Sequence, residues 1–181
     1  MGGVIAADVA TYYGADFLGG VVLYGSFPHR NMHSLVATKW VLDFIPRLLD
    51  KSLAAFGPTV KEFAESCVAN GDQLDQGTKY KWMGAVAGQH PDIRVWSIPH
   101  TQNETALMQA AKSLPYLVVH GKMDKHVDGN KLKEWMTPRF GNLRFLLWDN
   151  TGHASFWDKP KEANQEVVAF AQRLMISAVS F

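Results

Sequence analysis

The chain has 181 residues, 47% of them hydrophobic, 12% aromatic and 19% charged, with 18 Lys+Arg against 17 Asp+Glu for a formal charge of +1. That composition excludes a disordered or collagen-like chain, and it offers no basic field to draw nucleic acid, whose binding rests on clustered Lys/Arg that release phosphate counterions. A soluble chain of this size buries roughly 70% of its unfolded surface, enough for one core, and its single cysteine, Cys67, cannot close an internal disulfide and reads as a small buried hydrophobe.

Residues 2–14 place Val4, Ile5, Val9 and Tyr12 or Tyr13 on one helical stripe and stop at Gly14, a good C-terminal glycine, so a helix is expected from residue two. No capping side chain precedes it. The run Leu18–Gly25 is almost continuously apolar between glycines, as in a strand buried on both faces of a parallel sheet. From Pro28 to Lys112 the pattern turns helical. One helix carries Leu35, Trp40, Val41, Phe44, Ile45, Leu48 and Leu49 on its inner side. A capping box at Thr59–Glu62, after Pro58, opens a second with Cys67 in mid-helix. Another box, Thr101–Glu104, opens a third through Leu107, Ala110 and Ala111. Between them, Asn70–Gly77 is polar and Pro91–Pro99 irregular. The sheet pattern then resumes, with a strand at Leu114–Gly121, a helix at Gly129–Met136, a strand at Asn142–Trp148 and a helix from Pro160 to Met175. Strands and helices alternate, so the expected class is α/β. Three parts are expected: 1–27 as core, 28–112 as an inserted helical cap, and 113–181 as C-terminal core.

Two loops carry chemistry. After the strand ending at His120 comes Gly121-Lys122-Met123-Asp124, and after the one ending at Trp148 comes Asp149-Asn150-Thr151-Gly152-His153. An open parallel sheet places its site at the carboxyl ends of its strands. There a carboxylate can accept an imidazole N–H, fix the tautomer and stabilise the imidazolium formed when the other nitrogen takes a proton. Asp149 and Asp158 lie near His153 in sequence, yet Asp124 is the better partner, because near neighbours of a loop histidine rarely reach its inner nitrogen.

In these motifs the sequence resembles the α/β-hydrolase family over essentially its whole length. The family orders its triad nucleophile, acid, histidine, with the nucleophile in a Gly-x-Ser-x-Gly elbow. Gly121-Lys122-Met123-Asp124 matches the acid motif and Gly152-His153 the histidine motif, while Met1-Gly2-Gly3-Val4-Ile5-Ala6 is similar to the tail of an elbow Gly-x-Ser-Met-Gly-Gly. The resemblance thus implies the last three strands of the sheet, flanking helices and a cap, with Asp124 and His153 catalytic. Met1 becomes an oxyanion donor, Phe27 part of the substrate floor, and the nucleophile the residue just upstream of Met1. As written, the chain is expected to be an inactive fragment of a hydrolase of small apolar esters, lactones, amides or epoxide-type substrates, the last wanting Asp in place of Ser. A non-catalytic binding protein or relict is the alternative.

Other candidates weigh less. Ser26 has Pro28 where an elbow needs glycine. His29 and His33, four apart, lack a third metal ligand. Cys67 has no cationic neighbour to lower its thiol, and His120 and His126 are expected to hydrogen-bond locally. Trp40, Phe44, Phe56, Phe63, Trp82 and Met83 suit the cap's core or its apolar pocket. Gly19-Gly20 lies inside the predicted strand rather than in a phosphate loop, so no cofactor or metal is expected, and the one partner is a small-molecule substrate. No run approaches 18 apolar residues and no signal peptide opens the chain, which reads as soluble and cytoplasmic.

Overall fold

A computed structural model describes residues 2–50, 52–90, 92–93 and 101–179. In chain order these form α1 (Gly2–Tyr13), β1 (Val21–Tyr24), α2 (His33–Val36), α3 (Lys39–Leu49), α4 (Leu53–Ser66), α5 (Gln76–Ala87) and α6 (Thr105–Ala110). They continue with β2 (Tyr116–Gly121), α7 (Gly129–Met136), β3 (Leu143–Trp148), α8 (Ser155–Asp158) and α9 (Pro160–Val179).

The strands make one parallel sheet in the order β1-β2-β3, with Val21 opposite Tyr116 and Tyr116 opposite Leu143. Strand periodicity divides β2 between two cores. Tyr116 and Val118 join Leu23, Leu107, Leu132 and Met136 on one face, while Leu117 and Val119 meet Phe170 of α9 on the other. All six residues of β2 are buried, and each fully buried Leu or Val contributes about 1.5–3 kcal/mol. Among the described residues β1 pairs with β2 alone, so its other edge has no sheet neighbour. No described helix is long and apolar enough to cross a membrane.

Several elements depart from the sequence expectation. Helix α1 has the expected span and Gly14 the expected positive φ of 87°, but Val4, Ala7 and Ala10 are buried while Ile5, Tyr12 and Tyr13 are exposed. Small side chains win the inward face because α1 lies close on β1 and α6. A side chain at Gly3 would run into the Phe27 carbonyl. Strand β1 begins three residues later than expected, since Leu18 closes a 3-10 turn over Ala15–Phe17. Gly19-Gly20 therefore precedes the strand. A side chain at Gly20 would meet Phe170 and Leu174.

Leu35 is exposed, and the helix expected around it divides at Ala37-Thr38, where the Thr38 hydroxyl accepts from Val41 N at 3.2 Å and caps α3. The Thr59–Glu62 box does not open α4, which starts at Leu53 and runs through Pro58 with Thr59 buried inside it. One proline early in a helix forfeits a single ladder bond, a loss that packing outweighs. Cys67 stands at the C-cap of α4 rather than in mid-helix. Nor does the Thr101–Glu104 box form, because the Glu104 side chain is taken by a tertiary partner and the neighbouring Gln102 is drawn into others. Gln102 accepts from Arg30 N at 2.7 Å and donates to the Val4 carbonyl at 2.6 Å and to Asp8 at 2.8 Å, and Glu104 accepts from Asn31. α6 starts only at Thr105. Helix α5 has no signal in hydrophobic periodicity and is capped by Asp75, whose carboxylate accepts from Thr78 N at 2.9 Å. The last helix reaches Val179, beyond the expected Met175. Of the irregular stretch Pro91–Pro99, residues 91 and 94–99 lie outside the described residues.

Candidate active site

β2 and β3 run parallel, so the loops that follow them emerge at the same edge of the sheet. Gly121 ends β2 against Thr151 and Gly152, where any side chain would strike their carbonyls. Lys122 N donates to Trp148 O at 2.8 Å and Met123 N to Thr151 O at 2.9 Å, lacing the two loops together. Asp124 then turns inward. Its Oδ1 accepts from His126 N at 2.7 Å and Val127 N at 3.1 Å, an Asx turn that fixes the carboxylate. On the other loop, Asn150 takes a left-handed φ of 51°, which asparagine tolerates, and swings His153 toward the acid.

The two side chains meet. His153 Nδ1 lies 3.0 Å from Asp124 Oδ2 and 3.2 Å from Oδ1. A carboxylate only accepts, so Nδ1 carries the proton and Nε2 the free lone pair. The Asp124 side chain is 1% exposed and that of His153 30%. Burial alone would raise the Asp124 pKa, but the imidazoles of His120 and His153 beside it hold the carboxyl well below the usual range. His120 is fully buried. Its Nε2 donates to the Ser26 carbonyl at 2.9 Å, and its Nδ1 stands 3.5 Å from Asp124 Oδ2.

Asp149 is engaged by Lys122 at 2.7 Å. Asp158 accepts from Gly152 N at 2.7 Å and from Ala69 N at 3.1 Å, so it braces the histidine loop instead of touching the ring. Phe27 packs into the α1-side core with its ring 6.0 Å from that of His33. Met1 lies outside the described residues. Ser26 is buried, and its hydroxyl accepts from Gly3 N at 3.4 Å. His29 and His33 part company, His29 lying 5.6 Å from the Trp135 ring and His33 against Phe27. Burial lifts the Cys67 thiol to about 12, helped by the nearby Asp124 charge.

His126 corrects the expectation of a local hydrogen bond. Its Nε2 lies 2.7 Å from Ser66 Oγ at the end of α4, and its ring is 4.2 Å from that of His153. Trp40 stacks on it at 5.4 Å and 5°, with Phe44 stacked behind Trp40 at 4.7 Å, and Phe63 lies at 5.4 Å. Burial, then the neighbouring His153, push the His126 pKa down to about 3. Val127 of the same loop also pairs, through an isolated antiparallel bridge, with Ala37 between α2 and α3. Ala154 N donates to Cys67 O at 2.6 Å. The helices between β1 and β2 are thereby fastened directly to both loops. No sequence signal pointed to Ser66, which is 60 positions from His126.

A parallel sheet with an inward acid and a paired histidine on loops after successive strands is an arrangement of the α/β-hydrolase fold. The sequence matches no protein-family model and no curated protein. Among solved structures, the chain is similar to an esterase from Rhodococcus sp. at 17% identity and TM-score 0.82, over 95% of this chain and 62% of that one. It is also similar to a bromoperoxidase from Bacillus anthracis at 19% identity and TM-score 0.72, over 95% and 64%. A third similarity is to an N-acyl homoserine lactonase at 19% identity and TM-score 0.70, over 95% and 61%. At identities this low the structural likeness shows the fold alone, and the chain spans about 62% of the length of that esterase.

Proposed function

We propose that this chain is the C-terminal part of a serine hydrolase acting on a small apolar ester, lactone or amide, with Asp124 orienting His153 and a serine nucleophile contributed by sequence ahead of Met1. The observation that carries the reading is the Asp124–His153 pair, bonded through Nδ1 with Nε2 left as the base. In the reaction, Nε2 takes the hydroxyl proton as the serine oxygen attacks the acyl carbon. The imidazolium, held by Asp124, then returns that proton to the leaving group, and water repeats the cycle on the acyl-enzyme. The open edge of β1 and the greater length of the similar esterase support a preceding strand and elbow. The aromatic helices α3 and α4 act in this reading as a cap that excludes water.

Expression of a chain extended by its upstream coding sequence, treated with a fluorophosphonate probe, tests the proposal. Labelling of a serine directly ahead of Met1, with ester turnover lost in His153→Ala, is expected. A folded extended chain that takes no probe overturns it. The 181-residue chain alone is expected to show no turnover above background.

A further inference from the structure

We propose that Asp124, His126 and His153 also form a binding site for a zinc-type divalent cation, and that its occupation removes the base nitrogen of His153. The binding does not depend on the hydrolase reading; only its consequence for catalysis does.

One ligand atom from each of the three residues lies within 4.8 Å of the others. Zinc bonds of about 2.0–2.2 Å put tetrahedral ligands about 3.4 Å apart, and His153 Nδ1 and Asp124 Oδ2, at 3.0 Å, already stand close to that spacing. His153, whose side chain is 30% exposed against 1% for Asp124, is the least buried of the three. The tautomers indicate which atoms bind. The single Ser66 hydroxyl hydrogen goes to Phe63 O at 2.7 Å, so Ser66 Oγ accepts from His126 Nε2–H and the His126 Nδ1 lone pair is left as the ligand. Asp124 Oδ1 is held by the His126 and Val127 amides, so Oδ2, which accepts from His153 Nδ1 at 3.0 Å and stands 3.5 Å from His120 Nδ1, is the oxygen that turns to the cation. A carboxylate and two imidazoles with water at the fourth position suit zinc, whereas magnesium demands oxygen donors. Ser66 is the outer partner that histidine ligands ordinarily have.

The third ligand is His153 Nδ1, whose proton now points at Asp124. When the cation replaces that hydrogen bond, the proton moves through solvent to Nε2, with no net proton gained or lost. Nε2 then carries N–H instead of a lone pair and cannot accept a proton from a nucleophile.

The full chain, freed of metal with a chelator, is titrated with zinc chloride by calorimetry while imidazole 15N–1H correlations report the His153 tautomer. One ion per chain and a change of His153 from Nδ1–H to Nε2–H are expected, with no response to magnesium. His153→Gln abolishes the binding, Ser66→Ala weakens it about 10–100-fold, and His90→Gln leaves it unchanged; circular dichroism verifies that each variant is folded. The proposal is overturned by an absence of saturable binding, by equal binding in His153→Gln and Ser66→Ala, or by a saturated chain in which His153 keeps Nδ1–H. Failure of the hydrolase reading registers separately, as an extended chain that takes no fluorophosphonate.

Discussion

Replacing His126 by phenylalanine makes the buried imidazole's effect on stability measurable. Phenylalanine keeps a ring in the stack between Trp40, Phe63 and His153, and Ser66 still has the Phe63 carbonyl for its hydroxyl hydrogen, so the change removes chiefly the titratable nitrogen. In the folded chain burial holds this pKa at about 3, against an ordinary value of 6.5. As pH falls below 6.5 the unfolded chain binds a proton that the folded chain refuses, so His126 disfavours folding increasingly until the pH reaches about 3. Each pH unit in that window costs about 1.4 kcal/mol. Between pH 7 and pH 5 the wild type therefore loses about 2 kcal/mol through this one group. Asp124 adds nothing over that range, because a carboxylate with a depressed pKa stabilises above its unfolded value and loses its contribution only in stronger acid. Urea unfolding followed by circular dichroism at both pH values, on wild type and His126→Phe, measures the difference. A wild type that loses no more stability than the variant refutes the picture of a neutral, buried His126.

Three further outcomes are expected. Asp158→Ala leaves the Gly152 and Ala69 amides without their acceptor and costs about 2 kcal/mol in urea unfolding, whereas Asp158→Asn keeps an accepting oxygen and costs less than about 1 kcal/mol; equal losses would dismiss the bracing role. Gly25→Ala places a side chain against the His153 carbonyl at a φ of 54°. It is expected to destabilise by at least about 1–2 kcal/mol from backbone conformation alone and to shift the His153 imidazole resonances, so unchanged spectra and stability would count against that contact. With its thiol near 12, Cys67 is expected to react with iodoacetamide at pH 8 far more slowly in the native chain than in urea, and comparable rates would place it in a different environment.

The acid and the histidine were legible because their motifs stand directly after apolar runs, and chain direction in a parallel sheet brings such loops to one edge. The alternation of Leu143, Phe145 and Leu147, and the span of Gly129–Met136, were equally local in origin. Capping boxes were misleading at Thr59, which lies buried inside a helix that starts at Leu53, and at Thr101, where Glu104 and the neighbouring Gln102 find partners in Asn31, Arg30 and Asp8, more than 70 positions away. Helix α1 misled for a similar reason. Hydrophobic periodicity ranks Ile5 and Tyr12 above alanine, while close packing on β1 and α6 turns Val4, Ala7 and Ala10 inward.

By itself, then, the sequence determined the α/β class, the positions of β2, β3 and the helix joining them, and which carboxylate and imidazole meet, all matters of short-range period and loop position. Tertiary structure alone decided that His126 would lie against His153, that Ser66 and Trp40 would hold it there, and that Asp158 would brace the loop beneath. Those contacts join segments that no local pattern relates, and they form only when burial of several helices at once fixes where each side chain can go.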